Sequence, residues 1–199
     1  MSERRPGRWR EFVAAVCADH EALCDHDGRY GRRGLPRGRL AKDLVVRIGF
    51  QMMVAYRLMR LCVALGIPLA PQILSRLIRH LYGSDIHWNA ELEPGVTLVH
   101  GMGLCISGAV RVGTGAILFQ HVTLGESIHP ETRVIGSPQL GRDVHVGPGA
   151  TLVGPISIGD GSKITAGCLV TTSVPAGSVV QAEPAVARPR EALGLRRWG

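Results

Sequence analysis

Aliphatic residues recur at every sixth position through the second half of this chain, and this spacing constrains the fold more than any other feature. They form an early run and a later run, namely Ile106, Val112, Leu118 and Leu124, then Leu140, Val146, Leu152, Ile158, Ile164 and Val170. A helix repeats every 3.6 residues and a strand every two, so neither explains a period of six. A solenoid does, because each hexad can supply one short strand and a turn that stack on the next coil.

Composition agrees with a coil of short strands. Aromatic residues make up only 5% of the chain, whereas there are 26 glycines. A core with few rings has to be filled by Ile, Leu, Val and Ala, and the tight turns between strands favour glycine. We therefore expect a mainly β fold, a parallel β-helix, over residues 83–182.

The rhythm breaks at two places, and irregular segments of a solenoid are where function is expected. Leu98 and Ile106 are eight residues apart instead of six, and the segment between them contains His100. Residues 126–139 interrupt the repeat again and are expected to form a loop outside the coil.

The first 82 residues have helical periodicity. Residues 8–24 predict a short amphipathic helix, residues 28–39 a Gly/Arg/Pro linker, and residues 42–65 a longer helix that ends before Gly66 and Pro68. Another helix is expected after Pro71. The expected organisation is a helical region (1–82), the coil (83–182) and a tail (183–199).

The net charge of +7 comes mostly from arginines near the two ends of the chain. Aromatic residues do not alternate with them as they do on single-strand binding surfaces, so no nucleic-acid partner is expected. Arg47, Arg57 and Arg60 interrupt the most apolar segment, which argues against a membrane span, and residues 1–12 have no apolar stretch, so no signal peptide is expected. The five cysteines contain no CxxC pair, so neither disulfides nor a cysteine-based zinc site are predicted, and a cytoplasmic location is expected.

Several motifs together resemble the hexapeptide-repeat serine O-acetyltransferases. They are Gly49-Phe50 with Ala55-Tyr56-Arg57, Asp85-Ile86-His87, His100 with Gly103, Gln120 to Gly125, Val146 to Ala150, and Val174-Pro175 with Pro184-Ala185. The resemblance implies a left-handed coil, although the usual crossover rule favours the right hand. It also implies a homotrimer with the active site between neighbours, and acetyl-CoA or another acyl-CoA as co-substrate.

The resemblance further implies a role for each matched residue. His100 would be the general base that activates the acceptor hydroxyl, and Asp85 would orient its imidazole ring. A backbone N–H near Gly125 would stabilise the oxyanion. Coenzyme A would lie along Gly125, Pro148, Gly149 and Ala166, with Lys163 near a phosphate; these five residues form the expected cofactor site. Pro148 has no N–H to donate there, unlike the usual family residue.

The acceptor site departs from the family pattern. Val99 precedes His100 where the family has an Asp, and Ser137 takes the place of a loop His. His129 is a third candidate substrate-binding residue. Without its charged partners, free serine would bind weakly, so we expect a small-molecule acceptor other than serine.

Two alternatives remain open. One is a true serine O-acetyltransferase of cysteine biosynthesis. The other is a non-catalytic or metal-dependent β-helix protein, although His87, His121, His129 and His145 are too loosely placed to predict a metal. The tail lacks the terminal Ile with which family members bind cysteine synthase, so no such complex is expected.

Overall fold

A computed structural model describes residues 5–29, 40–128 and 133–183 of the chain, with four helices followed by a coil of short strands. The helices are α1 (Arg5–Arg29), α2 (Leu40–Val46), α3 (Ile48–Ala64) and α4 (Ala70–Tyr82). None of the described helices is long and apolar enough to cross a membrane.

The strands are mostly two residues long, as a hexad of one strand and one turn predicts. Before the interruption they are β1 (Asp85–Ile86), β2 (Glu91–Leu92), β3 (Thr97–Leu98), β4 (Cys105–Ile106), β5 (Arg111–Val112), β6 (Ile117–Leu118) and β7 (Thr123–Gly125). Two further strands, β8 (Ser127–Ile128) and β9 (Ile135–Gly136), form an antiparallel hairpin within the interruption. The coil then resumes with β10 (Gln139–Leu140), β11 (His145–Val146), β12 (Thr151–Val153), β13 (Ser157–Ile158), β14 (Lys163–Ile164), β15 (Leu169–Val170) and β16 (Val179–Val180).

Parallel pairing arranges these strands in three sheets, one for each side of the coil. The orders are β1-β4-β7-β12-β15, β2-β5-β10-β13 and β3-β6-β11-β14-β16. The aliphatic column stays in register across the interruption, since Val146 pairs with Leu118 on one side and Ile164 on the other. The predicted fold class, a parallel β coil after a helical region, is confirmed.

The ten aliphatic residues of the hexads fill the coil, and each is at most 5% exposed. Their small partners four positions later, such as Val110, Ala116 and Val144, are fully buried. This dry aliphatic column is the main source of hydrophobic stabilisation in the coil.

The helical region differs from expectation in two respects. α1 is longer than the predicted 8–24, and the predicted helix 42–65 is divided at Arg47, which has extended backbone angles (φ −105°, ψ 100°). At this break the Arg47 guanidinium pairs with Asp27 of α1. Most of the predicted linker lies outside the described residues.

Arg57 of α3 joins three parts of the molecule. Its guanidinium donates to both carboxylate oxygens of Asp19 on α1 (2.8 and 2.9 Å) and to the carbonyl oxygens of Leu92 and Glu93 in the coil (2.6 and 2.8 Å). Asp19 also accepts the Gly95 N–H at 2.8 Å. Burial raises the pKa of Asp19, while Arg57 and the backbone N–H groups oppose that shift. We call Asp19 and Arg57 the buried ion pair.

Helix α3 approaches the coil closely because it carries Gly49. A β-carbon at this position would overlap the carbonyl oxygen of Leu98, the last residue of β3. Tyr56 secures the same helix, since its hydroxyl donates to the Ala90 carbonyl (2.6 Å) and accepts the Leu92 N–H (3.1 Å). The helical region therefore packs directly on β3, the strand that precedes His100.

The buried ion pair predicts a large stability effect for Asp19→Asn. This change leaves the Arg57 guanidinium buried without its counter-charge, and breaking a buried pair in this way costs about 3–5 kcal/mol. Urea unfolding should show the loss in the free energy of unfolding.

The control is Glu91→Gln, which breaks the exposed pair between Glu91 and Arg111 (3.0 Å). Exposed pairs contribute about 0–1 kcal/mol, so this variant should unfold almost as the parent does. Equal losses in the two variants would contradict the role given to the buried ion pair.

Candidate active site

His100 occupies a tight turn directly after β3. Its φ is +64°, and the Gly101 N–H donates to the Val99 carbonyl at 2.8 Å, two residues back. A three-residue turn with a positive φ at its centre is rare and strained. Strain of this kind concentrates at functional sites, where the surrounding structure maintains it.

The surrounding structure holds this turn from below. The fully buried Ser84 hydroxyl lies 3.0 Å from the Gly101 carbonyl oxygen and accepts the Leu104 N–H at 3.2 Å. A β-carbon at Gly101 would meet the Met52 sulfur of α3 at 2.8 Å. The backbone is thus fixed on both flanks, whereas the His100 side chain is exposed and none of the described residues hydrogen-bonds to its ring.

A cavity of about 790 Å³ opens on the helical side of His100, and we call it the helical cavity. Val99 and His100 form part of its wall, and Phe50 and Phe119 add apolar surface. Four charged residues of α1, α2 and the α2–α3 junction complete the lining: Asp27, Lys42, Asp43 and Arg47.

Two of these charges form a pair with unused hydrogen-bonding capacity. Arg47 donates through one terminal nitrogen to Oδ2 of Asp27, whose side chain is 6% exposed. The remaining guanidinium N–H groups and the second Asp27 oxygen have no other hydrogen bond among the described residues. The cavity wall therefore offers a ligand both N–H donors from Arg47 and a carboxylate oxygen acceptor from Asp27.

A second cavity of about 580 Å³ also borders His100, and we call it the corner cavity. It is lined by His100, Gly103, Gln120 and His121, with Tyr82 at the end of α4. The Gln120 side-chain oxygen is buried there without a hydrogen-bond partner among the described residues. A buried acceptor in this state favours a ligand that brings an N–H or O–H group.

The corner cavity borders a column of stacked turns at one edge of the coil. Turns stack there through backbone bonds from His121 N–H to the Met102 carbonyl (2.9 Å), from Gly149 N–H to the Gln120 carbonyl (3.0 Å) and from Gly167 N–H to the Pro148 carbonyl (2.9 Å). Pro148, Gly149 and Ala166, all expected to contact a cofactor, thus lie on the same edge as the corner cavity. Lys163, which is exposed, lies on β14 beside this edge, and Gly125 ends β7.

Asp85 does not bond to His100 within this chain. Its carboxylate pairs with Arg79 of α4 at 2.5 Å, and the two side chains are 41% and 57% exposed. Asp85 raises the pKa of the Arg79 guanidinium through this hydrogen bond, and burial together with Asp85 raises the pKa of the nearby Cys105 thiol.

The candidate acceptor residues have different positions. Val99 lines the helical cavity beside His100. Ser137 is only 4% exposed, and its hydroxyl lies 3.1 Å from that of Ser107, so the coil itself uses this group. His129 lies outside the described residues.

Sequence reasoning missed the charged lining of the helical cavity. Asp27 and Arg47 are far apart in the chain and meet only because α1 packs on α3. The break at Arg47 also lacks the Gly or Pro that would signal it in the sequence.

Comparisons with known proteins agree with the repeat pattern of the coil. Residues 137–172 match the family described as "Bacterial transferase hexapeptide (six repeats)". A serine acetyltransferase of Helicobacter pylori is 32% identical over 135 residues, which cover 68% of this chain and 78% of that protein. One from Synechococcus elongatus is 36% identical over 136 residues, covering 68% of this chain and 55% of that protein. Overall, the chain spans about half the length of the first curated relatives it matches.

Solved structures give the same picture. A serine acetyltransferase of Neisseria gonorrhoeae in complex with serine superposes with a TM-score of 0.74 at 26% identity, covering 89% of this chain and 69% of that chain. One from Brucella abortus in complex with coenzyme A gives a TM-score of 0.75 at 27% identity, with 89% and 67% covered.

The edge of the coil makes a prediction about protonation. Burial lowers the pKa of His145, and the charges of Lys163 and His26 lower it further. Lys163→Met removes one of these causes, so the pKa of His145 should rise part of the way toward its ordinary value. An NMR titration of the histidine ring protons measures this change.

Lys42→Met is the control, because it removes the other lysine of the chain, which lies in the helical cavity. It should leave the pKa of His145 unchanged. If Lys163→Met leaves the pKa of His145 unchanged, Lys163 points away from this edge.

Proposed function

Because this chain belongs to the serine acetyltransferase family, we propose that it transfers the acetyl group of acetyl-CoA to the hydroxyl of a small acceptor, with L-serine as the first candidate. The observation that carries this proposal is the position of His100, whose side chain borders both the helical cavity and the corner cavity. A general base between two binding spaces can meet an acceptor from one side and a thioester from the other.

The family also supports the finer features of the architecture that we propose. The coil is left-handed, and the domains are the helical region 1–82, the acyltransferase coil 83–182 with its loop 126–139, and the tail 183–199. The working form is a homotrimer whose neighbouring coils face each other across the candidate site. Exposed apolar side chains on the coil, including Leu169 and Val179, and Ile135 on the hairpin are consistent with such an interface.

In the proposed reaction, neutral His100 accepts the proton of the acceptor hydroxyl as its oxygen attacks the thioester carbonyl carbon. The tetrahedral intermediate carries its negative charge on the former carbonyl oxygen, near the N–H groups at the Gly125 end of β7. The C–S bond then breaks, coenzyme A leaves as a thiolate, and His100 returns the proton to it. Acetylated acceptor and free coenzyme A are the products.

Asp85 is proposed to orient His100 after leaving Arg79. Its side chain is 41% exposed, and an exposed ion pair contributes little stability, so the carboxylate can turn away at small cost. A carboxylate bonded to one imidazole nitrogen fixes the tautomer that leaves the other nitrogen free as a base.

Coenzyme A is proposed to lie along the stacked turns of Pro148, Gly149 and Ala166, with its thioester in the corner cavity. The Gln120 side-chain oxygen, which has no hydrogen-bond partner among the described residues, would accept an amide N–H of the cofactor's arm once its side chain turns toward the cavity. Lys163 is the exposed cation beside this edge and would pair with a phosphate group.

The acceptor is proposed to bind in the helical cavity. The prediction that it differs from free serine finds no support in the relatives, whose names favour serine instead. That prediction considered only the residues next to His100 in sequence. The Asp27–Arg47 pair adds a carboxylate and a guanidinium to the same cavity, and these complement an amino acid's ammonium and carboxylate. Val99 remains an apolar wall, which is the feature that favours an uncharged acceptor.

Replacing His100 tests the core of the proposal. His100→Ala should lower the rate of coenzyme A release from acetyl-CoA by about 100-fold or more, because general base catalysis contributes 10²–10⁴-fold. A thiol-detecting assay with serine as acceptor measures the rate. His121→Ala, which changes a neighbouring turn of the corner cavity, serves as the comparison. Full activity of His100→Ala would remove the proposed mechanism.

The acceptor is tested with four hydroxyl compounds that differ in charge: L-serine, ethanolamine, 3-hydroxypropionate and 1-propanol. Serine should have the highest kcat/KM, and Asp27→Asn should lower it by about 10-fold to 100-fold, mainly through KM. This range follows from a charged hydrogen bond contributing about 1.5–3 kcal/mol. The KM for acetyl-CoA should not change.

Asp25→Asn is the matched control, since Asp25 is an exposed carboxylate on the same helix. It should retain the kcat/KM of the parent for serine. Faster transfer to 1-propanol than to serine would favour the uncharged acceptor suggested by Val99. An Asp27→Asn variant with unchanged serine kinetics would exclude Asp27 from acceptor binding.

A further inference from the structure

Three potential metal ligands of different chemistry converge in the helical region, away from the coil. His20 and Cys24 are one helical turn apart on α1, and Asp43 belongs to α2. The His20 Nε2, the Cys24 sulfur and a carboxylate oxygen of Asp43 all lie within 4.8 Å of one another. Among the described residues, this is the single group of three His, Cys, Asp or Glu side chains that meets so closely.

Two contacts within this cluster involve the same ring nitrogen, Nε2 of His20. Nε2 of His20 lies 2.9 Å from Oδ2 of Asp43 and 3.9 Å from the Cys24 sulfur. A ring nitrogen that donates its proton to the carboxylate has no lone pair left to accept the thiol proton. The described residues offer no other hydrogen-bond acceptor for that thiol. The three polar groups therefore converge, but the bond between His20 and Asp43 leaves the Cys24 thiol without an acceptor among the described residues.

The surroundings of the cluster favour a cation. His20 and Asp43 are 3% and 2% exposed, so their polar atoms are removed from water. Asp43 therefore brings a buried carboxylate to the cluster, and a bound cation would balance its charge. Cys24 itself is partly exposed, which leaves a route from solvent to the cluster.

We propose that His20, Cys24 and Asp43 bind a divalent ion of the zinc class that joins α1 to α2. Nitrogen, sulfur and oxygen donors in one set are typical of zinc, whose bonds of about 2.0–2.3 Å place tetrahedral ligands about 3.3–3.6 Å apart. The separations from the His20 nitrogen are 2.9 and 3.9 Å, and all three ligand atoms lie within 4.8 Å of one another, so side-chain rotations would have to bring the three atoms to these distances around the ion. Binding releases the thiol proton to solvent, and a water molecule or the second Asp43 oxygen completes the coordination.

The role of this ion is structural, and the proposal is independent of the acyl-transfer chemistry. Residues 30–39 separate α1 from α2, and the ion clamps the helices on either side of that segment. Asp43 also lines the helical cavity, so the ion would fix one part of its wall. Binding to the folded state alone raises stability in proportion to the logarithm of the metal concentration.

The test uses the full chain, freed of metal with a chelator and then titrated with CoCl₂ or ZnCl₂. We expect one equivalent of cobalt to produce a thiolate charge-transfer band in the near ultraviolet together with visible bands of tetrahedral cobalt. One equivalent of zinc should abolish these bands and raise the Tm by several degrees.

Cys24→Ser should lose the charge-transfer band and most of the Tm shift, whereas Cys17→Ser should keep both. Cys17 is the matched control because it is an exposed thiol on the same helix. If Cys24→Ser does not fold, alkylation of the parent protein gives the answer instead. Zinc should then slow the labelling of Cys24 at least 10-fold without protecting Cys17.

Absence of the charge-transfer band, its persistence in Cys24→Ser, or equal labelling of Cys24 with and without zinc would overturn the proposal. These outcomes are distinguishable from a failure of the proposed acyl transfer, because the His100→Ala test concerns a residue outside this cluster.

Discussion

The contact between Arg57 and the coil is the interaction on which the candidate site depends. A guanidinium buried to 7% exposure has to fill its hydrogen-bonding directions, and Asp19 with two carbonyl oxygens of the coil fills them. These partners belong to α1, to the last residue of β2 and to the residue after it, so satisfying one charge fixes the helical region against the coil. Without that fixed placement, the helical cavity would have no wall opposite His100.

His100 combines a rigid backbone with an unconstrained ring. Its turn is held by Ser84 and by the close approach of α3, while its side chain stands between two cavities. The proposed role as a base in acyl transfer needs this combination, since position must be set before the substrates arrive while the nitrogen remains available to them. The Asp85–Arg79 pair is exposed, so breaking it would cost little stability.

The sequence predicts the coil well because its signal is local and repeated. Ten aliphatic residues share the same spacing of six, apart from the two interruptions, and this repetition predicts that all of them point inward. The structure buries all ten inside the coil. The helical region gives no such redundancy. The break at Arg47 arises where its side chain meets Asp27, and contacts between distant helices leave no periodic trace in the sequence. For the same reason, the resemblance indicated His100 but not the charges of the cavity that it faces. For the proposed metal site, the sequence alone could have indicated one pair of ligands, because His20 and Cys24 are four residues apart on a predicted helix.

The register between strands of successive circuits restricts how a chain of this kind can change in length during evolution. Val146 pairs with Ile164, a step of 164 − 146 = 18 residues, which is three hexads or one circuit of the coil. Deleting a single residue would turn every later inward side chain toward water, whereas deleting a whole circuit would keep each column aligned. The hairpin of β8 and β9 escapes this restriction because it stands outside the columns. Natural variation in length is therefore expected in complete circuits, in that hairpin, or at a turn that absorbs the change locally, as the turn at His100 does between the buried residues Leu98 and Ile106.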